Sequence, residues 1–148
     1  MNPSTAVIAE LLTACRTIAV VGLSPNPDRP SHEVAQHLQR HGYRIVPVNP
    51  AFAGQRILNE DCHASLTEAR DALAASGVKI DMVDCFRRAE FIDALADEAI
   101  AIEARCLWMQ MGIVNEKAAA KARAAGLVVV MNRCTKVDHA ILLSQRSA

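Results

Sequence analysis

Apolar runs of strand length alternate with amphipathic stretches along the sequence, and no other feature restricts the fold as tightly. The run Thr17-Ile-Ala-Val-Val-Gly-Leu23 is too apolar for a strand with one face in water. It reads as a parallel strand covered on both faces. Arg44 to Val48, Ile80 to Phe86, Cys106 to Met111 and Leu127 to Met131 repeat the pattern, so five strands are expected. Helical patterns stand between them. Ser4 is placed to cap a helix reaching Cys15, and Ser31 to cap one whose inner face is Val34, Ala35 and Leu38. Ser65-Leu-Thr-Glu68 is a capping box. Ala89 to Ala101 turns Phe91, Ile92, Leu95 and Ala99 inward, and Asn115 caps an Ala-rich helix that Gly126 stops. Ser24 to Pro30 contains three prolines and reads as a loop, while residues 51–64 have no period and read as an irregular crossover. Alternating strands and helices predict an α/β, Rossmann-like three-layer fold with a five-stranded, mainly parallel sheet, as a single domain over 1–148.

Composition narrows the partners. Aromatics make up only 3%, so the core is aliphatic. Formal net charge is zero and no run of Lys or Arg occurs, which speaks against binding to nucleic acid or an anionic membrane. The five cysteines are scattered and form no CxxC pair, so neither a disulfide framework nor a zinc ribbon is expected. Met1 to Glu10 lacks the basic and apolar regions of a signal peptide, and no apolar run approaches the roughly 20 residues that cross a bilayer. A reducing, cytoplasmic setting is the expectation.

Open α/β sheets bind ligands beyond the carboxyl ends of their strands. After the first strand come Gly22, Ser24 and the loop to Ser31, where a helix N-terminus, Arg29 and two hydroxyls suit phosphate oxygens. An ordinary proline-stiffened loop with a solvated Arg29 would look the same. The glycine fingerprint GxGxxG is missing, and Asn49 stands where an acidic ribose ligand would be expected, so a nicotinamide-dinucleotide domain is the weaker alternative. Phe86-Arg87 follows the third strand as either a platform with a cation or a core residue with a surface one. Gln110, at an apolar strand end, needs a polar partner or solvent. Trp108 reads as a core residue. Asp81 and Asp84, three apart, fall on opposite faces of a strand and make no acid/base pair. His32, His37 and His41 lack a ligand pattern and read as surface or packing residues, so no metal is expected. Cys134 is a candidate nucleophile beside Arg133, but no base accompanies it.

Together these motifs resemble the small bacterial CoA-binding-domain proteins. The likeness rests on Val20-Val-Gly-Leu-Ser24 with Pro27, Arg29, Pro30 and Ser31, Val46-Pro-Val-Asn-Pro50, and Asp81-Met-Val-Asp84 with Phe86-Arg87. Leu107-Trp-Met-Gln110, Asn115-Glu116 and Arg133-Cys134 extend it over about residues 15–137. That family is similar in fold to the N-terminal domain of the succinyl-CoA synthetase α subunit. The resemblance implies coenzyme A, or an acyl-CoA, lying across the strand ends. Gly22, Ser24, Arg29 and Ser31 would take phosphates, Asn49-Pro50 would border the adenosine, and Phe86, Arg87 and Gln110 would line the way to the pantetheine arm. Ala51-Phe52-Ala53 replaces the polar residue the family commonly has there, so Arg29 or Arg56 would meet the 3′-phosphate. Asn59 stands where the family often has Gly. No catalytic residue is implied. A binding module is expected; an acyl-CoA enzyme using Cys134 is the alternative.

Overall fold

The computed structural model describes residues 1–143. Its central sheet is parallel and five-stranded, made from β1 (Thr17–Val21), β2 (Arg44–Val48), β5 (Met82–Cys85), β6 (Cys106–Met109) and β7 (Val128–Val130) in the order β2-β1-β5-β6-β7. The α/β Rossmann-like expectation therefore holds. Strand order reverses beside β1: β2 lies on one side of it and β5 on the other, all three running parallel. This is the topological switch point, where two crossovers leave in opposite directions and open a crevice between them.

Alternate residues of each strand feed two cores. Ala19, Val46, Val83, Leu107 and Val129 meet α3 (Leu66–Ala74), α4 (Ile92–Ala101) and α5 (Glu116–Ala124). Ile18, Ile45, Met82, Trp108 and Val130 meet α1 (Thr5–Ala14) and α2 (Pro30–Arg40). Trp108 is fully buried, its indole N–H donating to the Arg133 carbonyl at 2.8 Å. Cys15, Cys62, Cys85 and Cys106 are buried thiols, packed as small hydrophobes.

Local signals placed most helix starts. Ser4, Ser65 and Asn115 accept the N–H of Val7, Glu68 and Ala118, as expected of N-caps. One cap differs. Arg29 is the N-cap of α2, with Pro30 at N1, so the helix starts two residues earlier than a Ser31 cap predicts. Ser31 is instead buried in the first turn, where its Oγ accepts the Ser24 N–H at 3.0 Å.

The stretch 51–64 is more ordered than its lack of period predicts. A short 3₁₀ turn (Pro50–Phe52) precedes an antiparallel hairpin of β3 (Arg56–Ile57) and β4 (Glu60–Asp61). Leu58 and Asn59 both have positive φ, 53° and 63°, as a tight primed turn requires. Beyond β7, the short helix α6 (Thr135–Asp138) and a π-helical turn (His139–Leu143) pack on the α1–α2 layer, and neither was expected from the sequence.

Candidate functional site

A trough runs over the carboxyl ends of β1, β5 and β6, at the switch point. One part, about 600 Å³, is lined by Pro30, Val34, Phe86, Arg87, Gln110, Met111, Ile113, Cys134 and Val137, among others. A second part, about 390 Å³, shares Pro30 and Phe86 with it and adds Gly22, Ser24, Arg29, Ser31 and Phe52. A third, about 190 Å³, shares Arg87 and adds Pro50, Ser65 and Phe91 with the carboxylate of Glu98. Eight of the nine residues singled out from the sequence therefore line one trough.

Gly22 fixes the middle of it. Its φ is +89°, and a Cβ there would collide with the Phe86 carbonyl oxygen, so the ends of β1 and β5 approach closely only because the residue is glycine. The loop after it is held by its own side chains. Ser24 Oγ accepts the Asn26 N–H at 3.1 Å, and Asn26 Oδ1 accepts the Asp28 N–H at 3.0 Å. His32 is buried, with Nδ1 3.0 Å from the Ser24 carbonyl. Each serine hydroxyl that accepts a backbone N–H keeps its own proton to donate.

Asn49 is the ninth residue, and it faces elsewhere. Its Nδ2 donates to the Leu23 carbonyl and its Oδ1 accepts the Ala51 N–H, tying the ends of β1 and β2 together. Arg56 is likewise occupied. It pairs with Asp61 at 2.8 Å and donates to the Asn59 carbonyl, closing the hairpin. Arg29 and Arg87 are different. Neither forms an ion pair among the described residues, and Arg87 lies over the Phe91 ring at 4.4 Å. Both residues line the trough together with Phe86, Arg29 in its polar part and Arg87 where the first and third parts meet.

Gln110 finds its polar partner inside the wall rather than in solvent. Its Nε2 donates to Asp84 Oδ1 at 2.5 Å and to Thr135 Oγ1 at 2.8 Å, and the Thr135 hydroxyl donates to Asp84 Oδ2 at 2.9 Å. All three side chains are buried. Burial pushes the Asp84 carboxyl up to about 7, against the pull of the two hydrogen bonds. Sequence reasoning found Gln110 and missed its partners, because Thr135 lies outside any periodic segment. Asp81, on the other face, accepts the N–H groups of Arg16 and Thr17 and holds the start of β1.

Cys134 is half-buried at the apolar end of the trough. Its neighbour Arg133 is fully engaged: Nε and an Nη bond the two oxygens of Asp138 at 2.7 and 2.9 Å.

A parallel sheet with a partly polar, partly apolar trough at its switch point defines an open, Rossmann-like α/β protein with room for a ligand at its strand ends. The chain belongs to the CoA binding domain family, whose match covers residues 16–140. It is 40% identical over 145 residues to the uncharacterized protein YneT of Bacillus subtilis, covering 95% of this chain and 97% of YneT. A hypothetical protein from Pyrococcus horikoshii OT3 is similar in structure at 34% identity, with a TM-score of 0.84 over 95% of this chain and 93% of that one. A Rex-family repressor shares the fold alone, at 14% identity and a TM-score of 0.54 over 97% of this chain and 63% of its own. No helix among the described residues is long and apolar enough to cross a membrane.

Proposed function

We propose that this chain is a coenzyme A-binding module without catalysis of its own. One observation carries the reading. The trough joins a polar part, with Arg29 and the Ser24 and Ser31 hydroxyls, to an apolar part bounded by Val34, Met111, Ile113 and Val137. That division matches a ligand with phosphates at one end and a pantetheine arm, free or acylated, at the other. Phosphates would sit by Gly22, Ser24, Arg29 and Ser31. Arg29 takes the place of the missing polar residue after Pro50, since Arg56 is spent on the hairpin. Adenosine would lie toward Pro50, with Asn49 shaping that edge from behind, and the arm would pass Phe86 and Arg87 to Gln110. The module is one domain, and its free thiols fit a reducing cytoplasm.

A second reading keeps one observation in its favour: Cys134 lines the apolar part, where an acyl group would end. Titration calorimetry with CoA, NAD and FMN tests the first reading. CoA should bind tightest, and NAD binding as tight or tighter would overturn it.

A further inference from the structure

We propose that His37, His41 and His139 form a binding site for one borderline divalent transition-metal ion of the Zn²⁺ type. The sequence hides the site, because His37 and His41 stand a turn apart on α2 while His139 comes from the turn after α6. Folding brings one ring nitrogen from each within 4.8 Å of the other two. The closest pair, His37 Nε2 and His139 Nδ1, is 3.1 Å apart. Two imidazole nitrogens on one tetrahedral Zn²⁺ stand about 3.3 Å apart, given Zn–N bonds of roughly 2.0–2.1 Å. The pair therefore needs almost no movement to share an ion.

His41 is oriented for the same task. Its Nδ1 lies 2.7 Å from the His37 carbonyl, which fixes the proton on Nδ1 and leaves the Nε2 lone pair free. Metal-bound histidines almost always carry such a hydrogen bond on the other nitrogen. The rings of His37 and His41 lie 4.3 Å apart, and His139 stands edge-on to both. The edge of Tyr43, whose hydroxyl is bound to the Leu12 carbonyl, backs His139. His41 is the C-cap of α2, so the cluster sits where the helix dipole favours a cation. The nearby Lys136 is neutralised by Glu33 at 2.7 Å.

Three imidazoles suit Zn²⁺, Cu²⁺ or Ni²⁺ and leave a coordination position open on the exposed side of His41. On binding, the imidazole that holds the proton between His37 and His139 moves it, through exchange with solvent, to its other ring nitrogen, so both facing nitrogens offer lone pairs and both rings stay neutral. The site lies at the opposite end of α2 from Arg29 and Ser31, so it is independent of the trough and its ligand.

Untagged full-length protein titrated calorimetrically with ZnCl₂ tests the inference. One ion should bind per chain, and His37→Ala, His41→Ala or His139→Ala should each weaken binding at least tenfold. His41 is exposed, so that variant keeps the fold. His63→Ala, outside the cluster, should leave binding unchanged. Co²⁺ should give a tetrahedral visible spectrum without a thiolate charge-transfer band. No binding, binding indifferent to both His41→Ala and His139→Ala, or a thiolate band lost in Cys134→Ser would overturn the assignment.

Discussion

Gln110 spends both amide protons inside the trough wall, one of them on Asp84 at 2.5 Å. The side chain that sequence reasoning assigned to the ligand thus holds a buried carboxylate first. Its effect on the trough is to fix the C-terminal end of β6 against β5 and the start of α6, so that Met111 and Cys134 line one cavity. A carboxylate 0% exposed costs free energy when ionised, and the hydrogen bonds offset only part of that cost.

The first prediction is a pH dependence of stability centred on Asp84. Its folded value, about 7, lies above the ordinary 3.8. The folded state therefore holds the proton longer than the unfolded chain does. The contribution is fully present below about pH 4 and is lost as pH rises toward 7, by on the order of a few kcal/mol. Asp84→Asn removes the charge, and the Gln110 amide can turn to accept from the new Asn. The variant should gain stability over wild type as pH rises from 4 to 8, read as urea midpoints. A midpoint difference that stays constant across that range would contradict the prediction.

The second concerns Gly22 with Gly42 as its comparison. Both have positive φ, +89° and +95°, but a Cβ at Gly42 meets nothing within 4 Å. Gly42→Ala should cost roughly 1 kcal/mol, from backbone strain alone. Gly22→Ala adds the collision with Phe86 and should cost roughly 2–4 kcal/mol. Urea denaturation of the two variants measures the difference, and equal losses would show that the β1–β5 approach is not tight.

Much of this was legible because parallel strands and amphipathic helices write their period into sequence. Thr17–Val21 is buried at every position and reads as one unbroken apolar run. What escaped was set by distance or by brevity. The β3–β4 hairpin has two residues per strand, too few to show alternation, and Leu58 is not a residue type that signals a positive φ. Ser31 looked like a cap because serine usually caps, yet Pro30 takes N1 and moves the boundary. Asp84, Gln110 and Thr135 are brought together from β5, the end of β6 and α6, and no spacing rule announces such a triangle. The trough residues themselves were legible because strand ends can be counted.

The third prediction is for Arg29. Its side chain is exposed and makes no ion pair among the described residues, so Arg29→Ala should leave the urea midpoint within experimental error. CoA affinity should fall by roughly 1.5–3 kcal/mol, the range for a hydrogen bond to a charged group. Dephospho-CoA would show which phosphate it meets: the loss should shrink if Arg29 contacts the 3′-phosphate. Unchanged CoA affinity would return Arg29 to solvent.

The last prediction separates a module from an enzyme at Cys134. A catalytic thiol needs an electropositive setting or a neighbouring base to form the thiolate. Arg133, the nearest cation in sequence, has its guanidinium bound twice by Asp138, so its charge is neutralised locally. Of the five histidines, His32 is turned to the Ser24 carbonyl, His37, His41 and His139 face one another, and His63 lies beside β2, lining a different cavity from Cys134. Cys134 thus lines the apolar cavity without an activating partner among the described residues. Wild-type protein incubated with acetyl-CoA or succinyl-CoA should show no acyl mass increment by intact-protein mass spectrometry, and Cys134→Ser should keep CoA affinity within about twofold. An increment that disappears in Cys134→Ser would make the protein an acyl-transfer enzyme, and the ionising group would then have to come from the ligand or a partner.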